Sequence, residues 1–304
     1  MKKIIITGGS GFLGTQIAQK LLEDQNNHIV VMDIAPPRFS HKRMTFVQKN
    51  LLEPFGDDKY PELQNPHAVI HLSGKSIYGR FTKKHKQLVY DTRVLGTRHL
   101  VDLFARDDCR PEYFTSASAV GFYGDQPGVT LDEDSARSNY YFLSDVVHAW
   151  EAEALRAEEF GVQTTCIRNG HIIGQGGILA EVGKTFTFGV GGILGTGREY
   201  MPWIDVRDLV DLYILTTNQV TPVIINGVSN TTETQGDFSR AIGKTKNTKF
   251  YMHVYEWMLW LKFGGFAQEM LVDQKVLSKN LEKIDFKPKY TDIIQVIRFY
   301  LQKT

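Results

Sequence analysis

The sequence predicts an α/β fold with a doubly wound, mostly parallel sheet. Three observations support this: apolar strand-like runs alternate with helix-like segments, a glycine-rich turn follows the first run, and small-residue turns follow later runs. Strands that alternate with helices form parallel sheets, so these turns meet at the carboxyl ends of the strands, where such folds bind ligands. With 304 residues and 42% hydrophobic composition, the chain can also build a small C-terminal α+β lobe.

The first predicted strand, residues 4–6, leads into a glycine turn at residues 7–14. Glycine permits the sharp turn and lets a pyrophosphate approach the helix N-terminus, where unpaired N–H groups and the helix dipole favour negative charge. Phe12, Ile17 and Leu21 recur near helical spacing, which places a helix directly after the turn. The turn therefore predicts a dinucleotide site. The residues predicted to contact the dinucleotide are Gly8, Gly9, Ser10, Gly11, Phe12, Leu13 and Gly14.

The second predicted strand, residues 28–32, ends at Asp33, nineteen residues after Gly14. A carboxylate at this place can hydrogen-bond both ribose hydroxyls of NAD and repel the 2′-phosphate of NADP. Arg38 and the neighbouring Lys42-Arg43 pair could instead bind a 2′-phosphate. The cofactor is therefore predicted to be NAD or NADP, with NAD favoured by Asp33.

The remaining elements continue the alternation. Strands are predicted at residues 45–48, 68–72, 113–116, 164–168, 223–228 and 250–254, and helices at 83–106, 140–160, 207–216 and 293–301. The glycine-rich residues 189–197 are interpreted as a flexible loop that can close over a substrate. We expect a dinucleotide-binding domain at 1–174 and substrate-side segments with the C-terminal lobe at 175–304, with strands free to interleave between them.

The overall charge and hydropathy predict neither a nucleic-acid nor a membrane partner. A net charge of +1 gives no global reason to bind nucleic acid or an anionic membrane, and no window approaches the ~18 apolar residues of a membrane span. The apolar residues 254–266 are interpreted as core or as a homodimer face. Cys109 and Cys166 are too few for a disulfide scaffold, which suits a cytoplasmic protein. No cluster has metal-ligand spacing, so no metal is expected.

Several motifs together resemble one family. They are TGGSGFLG at 7–14, VIHLSG at 69–74, RVLGT at 93–97, SASAVGFYG at 116–124, RNGHIIG at 168–174, MPWIDVRD at 201–208 and QKVLSKNL at 274–281. Nearly the whole chain is similar to the extended short-chain dehydrogenases/reductases, specifically to epimerase/dehydratase-like proteins with a C-terminal domain of unknown function. The resemblance implies a Rossmann-type fold and a small-molecule substrate, which in this family is commonly a nucleotide sugar. It also implies cofactor contacts from Leu51, Leu72, Ser73, Gly74, Ser116, Gly170 and His171.

The chain departs from the family pattern at the catalytic residues. In active members a Ser or Thr orients the substrate, and a Tyr-x-x-x-Lys pair moves its proton. A phenol has a pKa near ~10, so a lysine one helical turn away must lower that pKa. Ser118 matches the serine position, but none of the 13 tyrosines is followed by Lys four residues later. Leu143 and Val147 occupy the positions of the pair when the family pattern is counted back from Glu151.

Two hypotheses follow. In the first, the protein is an atypical oxidoreductase or epimerase-like enzyme, with Lys75 restoring a positive charge near the nicotinamide. The catalytic candidates are then Ser118, with Tyr123, Tyr141 or His171 as the proton donor. In the second, the protein is a non-catalytic NAD(P)-binding redox sensor or regulator. The enzyme is favoured because the glycine-rich loop and the Trp203 region are suited to enclosing a small molecule.

Overall fold

The computed structural model describes residues 1–56, 60–138, 141–182, 186 and 189–302. Its strands are β1 (Lys2–Thr7), β2 (Asn27–Asp33), β3 (Met44–Gln48), β4 (Ala68–His71), β5 (Tyr113–Ala119), β6 (Thr130–Leu131), β7 (Gln163–Asn169), β8 (His171–Ile173), β9 (Val190–Leu194), β10 (Trp203–Asp205), β11 (Ile224–Gly227), β12 (Phe250–Val254) and β13 (Lys275–Val276). Its helices are α1 (Phe12–Leu21), α2 (Lys83–Leu103), α3 (Phe142–Leu155), α4 (Ile178–Val182), α5 (Val206–Leu215), α6 (Gln235–Thr245), α7 (Glu256–Phe263), α8 (Phe266–Glu269), α9 (Asn280–Lys283) and α10 (Ile293–Leu301).

Seven parallel strands form the central sheet in the order β11-β7-β5-β4-β1-β2-β3. Strand side chains alternate between faces, so Ile4 and Ile6 enter one apolar layer and Ile5 enters the other. Helices α1 and α5 pack together in the first layer, whereas α2 and α3 pack together in the second. The predicted doubly wound parallel sheet is therefore confirmed.

The C-terminal part of the chain both extends this sheet and builds on it. Strand β11 pairs in parallel with β7, so one strand from beyond residue 174 belongs to the central sheet. Helix α6 packs against α10 and against β9, which forms a separate two-stranded sheet with β12. The domain division at residue 174 stays a prediction, with interleaving at β11.

Residues 189–197 differ from their prediction as a flexible loop. Residues Val190–Leu194 form a strand that pairs in parallel with Phe250–Val254. A side chain at Gly191 would collide with the ring of Phe186, so the glycine permits close packing there. The loop prediction is wrong because the partner strand lies some sixty residues away, beyond the reach of local sequence patterns.

The long helix predicted over residues 140–160 is shorter in the structure. Tyr140 lies outside the described residues, α3 begins at Phe142, and Arg156–Phe160 continue as a 3₁₀ turn. None of the described helices has both the length and the apolar character needed to cross a membrane.

Candidate functional site

The glycine turn joins β1 to α1 at the carboxyl end of the sheet. Gly8 has φ of +70°, and a Cβ there would lie 2.9 Å from the Leu72 carbonyl carbon and the Ser73 nitrogen. A Cβ at Gly14 would lie 2.6 Å from the Gly8 oxygen. These two glycines let the turn pack against the end of β4 and let α1 start directly on the turn.

Gly11, which lies between these two glycines, has different surroundings. Gly11 is the N-cap of α1, where a Cβ would meet only the Gly8 oxygen at 3.1 Å within the described chain. No side chain caps this helix end, and its first turn carries no acidic residue. An uncapped helix N-terminus presents backbone N–H groups and the positive end of the helix dipole. The arrangement can therefore bind an anion such as a pyrophosphate.

Asp33 and Arg38 both contact Ser10 of this turn. The Asp33 carboxylate accepts hydrogen bonds from the backbone N–H of Ser10 at 3.0 Å and of Ile34 at 2.7 Å. The exposed Arg38 donates from Nε to the Ser10 carbonyl at 3.2 Å. Asp33, which is predicted to bind the ribose, and Arg38, which could bind a 2′-phosphate instead, therefore lie on the same side of the predicted site.

The end of β4 forms the next side of the site, and Arg93 lies beneath it. A Cβ at Gly74 would lie 3.2 Å from the guanidinium carbon of Arg93. Nη1 of Arg93 donates to the Lys75 carbonyl at 2.8 Å, and its guanidinium lies 5.2 Å from the ring centroid of Trp150. Burial lowers the pKa of Arg93 to about 10. Arg93 is partly buried, and within the described residues its guanidinium donates to the carbonyls of Lys75 and Val89 rather than to a carboxylate.

His71 links the glycine turn to α2 through two threonines. Its Nδ1 lies 2.6 Å from Thr7 Oγ1, and its Nε2 lies 2.8 Å from Thr97 Oγ1. Thr97 donates its own proton to the Arg93 carbonyl, so Nε2 of His71 must donate and Nδ1 must accept from Thr7. Burial lowers the pKa of His71 to about 3. The histidine is therefore a neutral structural link.

A buried polar network surrounds Ser118. Its hydroxyl donates to Glu151 Oε1 at 2.5 Å, and Arg168 donates to both oxygens of Glu151, from Nε at 2.7 Å and Nη2 at 2.8 Å. Nη1 of Arg168 also donates to the Tyr123 hydroxyl at 3.0 Å, which in turn donates to Asn226 at 2.8 Å. Five side chains from β5, α3, β7, β11 and the segment after β5 are thereby fixed in one buried chain.

The two tyrosine candidates have different surroundings. The Tyr123 side chain is fully buried in this network, and burial raises its pKa to about 12. Tyr141 precedes α3 and is partly exposed; burial, followed by the negative charge of Asp125 and a hydrogen bond to it, raises the pKa of Tyr141. The structure brings Ser118 and Tyr123 into one network, whereas Tyr141 lies at the start of α3.

The other predicted cofactor residues lie within strands or in the segments after them, mostly in packed positions. Leu51 is buried in the core, and Ser116 is buried with its hydroxyl on the Ala117 carbonyl. Gly170 packs on Pro202, since a Cβ would lie 2.9 Å from its oxygen. The backbone N–H of His171 donates to that oxygen at 2.8 Å, and burial lowers the pKa of this histidine to about 4. Their cofactor contacts stay predictions.

Sequence reasoning missed Arg93, Glu151, Arg168 and Asn226 as site residues. A signal was present for two of them: Glu151 interrupts the apolar face of a predicted helix, and Arg168 stands within an apolar strand. Opposite charges inside two buried elements indicate a buried ion pair. For Arg93 and Asn226 the sequence offers no comparable signal.

A separate open cavity of about 450 Å³ lies in the C-terminal part, between the turn after β9, α6 and β12. Its lining includes Arg198, Arg240 and His253 but none of the predicted cofactor residues. Arg240 pairs with Asp237 at 2.9 Å. Within the described chain no group of His, Cys, Asp and Glu side chains could hold a metal ion.

The sheet order, the glycine turn and the acidic residue at the end of β2 define a dinucleotide-binding α/β protein of the Rossmann type. The family model "NAD dependent epimerase/dehydratase family" matches residues 4–226. The chain belongs to this family. The prediction of an epimerase/dehydratase-like protein is thereby confirmed.

Individual relatives cover nearly the whole chain. The epimerase family protein YfhF of Bacillus subtilis is 31% identical over an alignment of 296 positions that covers 95% of each chain. The human epimerase family protein SDR39U1 (isoform 2), solved with NADPH, has a TM-score of 0.87 at 20% identity over 99% of this chain and 100% of its own. A nucleoside-diphosphate sugar epimerase from Corynebacterium glutamicum has a TM-score of 0.77 at 26% identity, over 99% of this chain and 58% of its own.

Proposed function

We propose that the protein binds NAD or NADP at the glycine turn and uses it in an epimerase- or oxidoreductase-type reaction on a small molecule. The observation that carries this proposal is the uncapped N-terminus of α1, open at Gly11 and bordered by Asp33. The substrate class we propose is a nucleotide sugar. This class is supported by the family and by two solved neighbours of the same fold, each in complex with UDP-glucuronic acid and NAD.

The choice between the two cofactors depends on Asp33 and Arg38. The carboxylate of Asp33 favours NAD because it repels a 2′-phosphate, whereas Arg38 is close enough to Ser10 to attract one. The human neighbour was solved with NADPH. We propose NAD as the preferred cofactor because Asp33 is held in the turn by several backbone N–H groups, whereas Arg38 is exposed.

The positive charge that the missing lysine would give is proposed to come from Arg93. Lys75, the earlier candidate, is exposed at the surface, whereas the Arg93 guanidinium lies beneath Gly74 at the carboxyl end of β4. Arg93 is partly buried and donates to backbone carbonyls rather than to a carboxylate within the described residues, so its charge is available to a dinucleotide that passes Gly74.

Ser118 is proposed to accept, rather than donate, a hydrogen bond from the substrate. Its one hydroxyl proton is directed at Glu151, so only its oxygen lone pairs remain for a ligand. An alcohol group of a sugar can donate to such an oxygen. Tyr123 supports Arg168 within the buried network, and burial keeps His171 neutral by lowering its pKa to about 4. The partly exposed Tyr141 is therefore the proposed proton donor.

A second candidate function is supported by α3 itself. The positions of the missing pair are Leu143, which is partly buried, and Val147, which is buried in the helix. Neither side chain can transfer or polarise a proton. A protein that binds NAD(P) and reports the redox state without turnover fits this observation.

Cofactor binding is tested by fluorescence titration with NADH and NADPH. The wild-type protein should bind NADH at least as tightly as NADPH, and Gly11→Val should abolish binding of both by filling the space beside the helix N-terminus. Gly265→Val is a matched control, because nothing lies within 4 Å of a Cβ there. Unchanged affinity in Gly11→Val would refute the site.

Turnover separates the enzyme from the sensor. The protein is incubated with NAD or NADP and a panel of nucleotide sugars and small carbonyl compounds, and products are followed by nuclear magnetic resonance. The enzyme hypothesis expects a product that Ser118→Ala no longer forms while it still binds the cofactor. Cofactor binding without turnover across the panel favours the sensor.

A further inference from the structure

Helix α7 carries apolar side chains on two opposite faces. Leu259 is buried against the protein, whereas Trp257, Trp260 and Leu261 are 65%, 54% and 63% exposed. These three residues follow the spacing of one helix face, so they form a continuous apolar stripe towards solvent. A surface helix in water normally presents polar residues on that face. The stripe therefore indicates a surface that another phase or molecule covers.

Basic residues surround this stripe. Arg80 donates to the Leu261 carbonyl at 2.8 Å, and its guanidinium lies 5.9 Å from the Trp260 ring centroid. The backbone N–H of Phe81 donates to the Phe263 carbonyl at 3.1 Å, which brings the exposed start of α2 to the end of α7. We call this surface the aromatic-basic patch. Its members are Arg80, Lys83, Lys84, Trp257, Trp260, Leu261 and Lys262.

The charge around the patch is mainly basic. Arg80, Lys83, Lys84 and Lys262 outnumber Glu256, the one acidic residue of α7. Exposed tryptophan and leucine beside lysine and arginine is the composition of helices that lie in the headgroup region of membranes. A second copy of the chain docked through the same patch would bring two basic rims together. An anionic lipid surface complements both the charge and the apolar stripe.

We propose that the aromatic-basic patch docks the protein on the surface of an anionic lipid bilayer. The tryptophan and leucine side chains enter the headgroup region, and the four basic residues lie against lipid phosphates. No part of the described chain needs to span the bilayer for this contact. The proposal is independent of the cofactor site, because none of the patch residues belongs to the glycine turn or to the Ser118 network.

Vesicle binding of the full chain tests this proposal. Of the four tryptophans, Trp150 and Trp203 are buried, so a blue shift of the emission on adding vesicles reports Trp257 and Trp260. We expect the blue shift and co-sedimentation with phosphatidylcholine vesicles that contain about 30% phosphatidylglycerol, and much weaker binding to phosphatidylcholine alone. Added salt should weaken the binding because it screens the basic residues.

Two double variants separate the contributions. Trp257→Ser with Trp260→Ser, and Lys83→Glu with Lys84→Glu, should each lower partitioning onto anionic vesicles by at least about tenfold. Val220→Ser, at a side chain that is 67% exposed elsewhere, should leave partitioning unchanged. Equal binding of wild type to neutral and anionic vesicles, or no binding to either, overturns the proposal. The proposal is also overturned if the wild type forms a dimer and does not bind vesicles, and the Trp257→Ser/Trp260→Ser variant is monomeric.

Discussion

The Ser118–Glu151–Arg168 network makes a strong prediction about stability. Glu151→Gln keeps the size of the side chain but removes the negative charge that Arg168 contacts through two nitrogens at 2.7 and 2.8 Å. Both side chains are buried, with 4% and 6% exposure, so water cannot replace the lost partner. Breaking a buried pair by removing one charge costs about 3–5 kcal/mol. For a chain of this size we expect the melting temperature to fall by roughly 6–20 °C.

The measurement is urea unfolding and thermal melting of wild type, Glu151→Gln and a matched control. Glu153→Gln, two residues further on α3, breaks contacts to Arg98 and Arg156, whose side chains are 47% and 34% exposed. Both arginines are partly exposed although Glu153 is 12% exposed, so solvent screens these two ion pairs more than it screens Arg168–Glu151, and the control should lose no more than about 1 kcal/mol. Replacing both charges, by Glu151→Leu with Arg168→Met, should recover part of the loss. If Glu151→Gln and Glu153→Gln lose equal stability, the argument for a desolvated network is refuted.

Three further predictions concern the cofactor site and pH. Asp33→Asn should shift the ratio of NADPH to NADH affinity at least about tenfold towards NADPH, and Arg38→Ala should shift it the other way; fluorescence titration that shows no change would exclude both from the ribose corner. Arg93→Leu should weaken cofactor binding about tenfold with the melting temperature kept, and Arg93→Lys should restore most of it, whereas a purely structural arginine would change stability instead. Burial lowers the pKa of His71 to about 3 and that of His171 to about 4, so only the unfolded chain takes up these protons as the pH falls below ~6.5. The free energy of unfolding should then drop by up to about 1.4 kcal/mol per pH unit for each histidine. His171→Gln should make this dependence weaker when the free energy of unfolding is measured at pH 7, 6 and 5.

Local sequence signals predicted the elements that are organised locally. An apolar strand, a glycine at the position of positive φ (Gly8) and the start of a helix follow one another within fourteen residues. The position of the turn could therefore be predicted from the sequence alone. Asp33 followed because the spacing in a βαβ unit is nearly fixed. The alternation of strands and helices likewise determined the class of sheet before any contact was known.

The elements that depend on distant partners were not predictable in the same way. Strand β9 contains two consecutive glycines, which weaken its local strand signal; it is a strand because β12 pairs with it. Asn226 enters the Ser118 network only when β11 joins the sheet beside β7. Arg93 was part of a recognised motif, but its position under Gly74 depends on how α2 packs on β4. Each of these facts belongs to tertiary structure.

The strand order also determines when the buried network can close during synthesis on a ribosome. Strands β1 to β5 and β7 can assemble from the first 169 residues, and by then Glu151, Arg168 and Tyr123 have all been made. Asn226, the acceptor for the Tyr123 hydroxyl, leaves the ribosome much later, within the strand that covers the edge of β7. Until that strand arrives, the ion pair lies near an open sheet edge and can stay hydrated. In a nascent chain stalled before β11, the core at this edge should therefore be incompletely packed and accessible to solvent. A chaperone that binds unpaired strands could bind the exposed edge of β7.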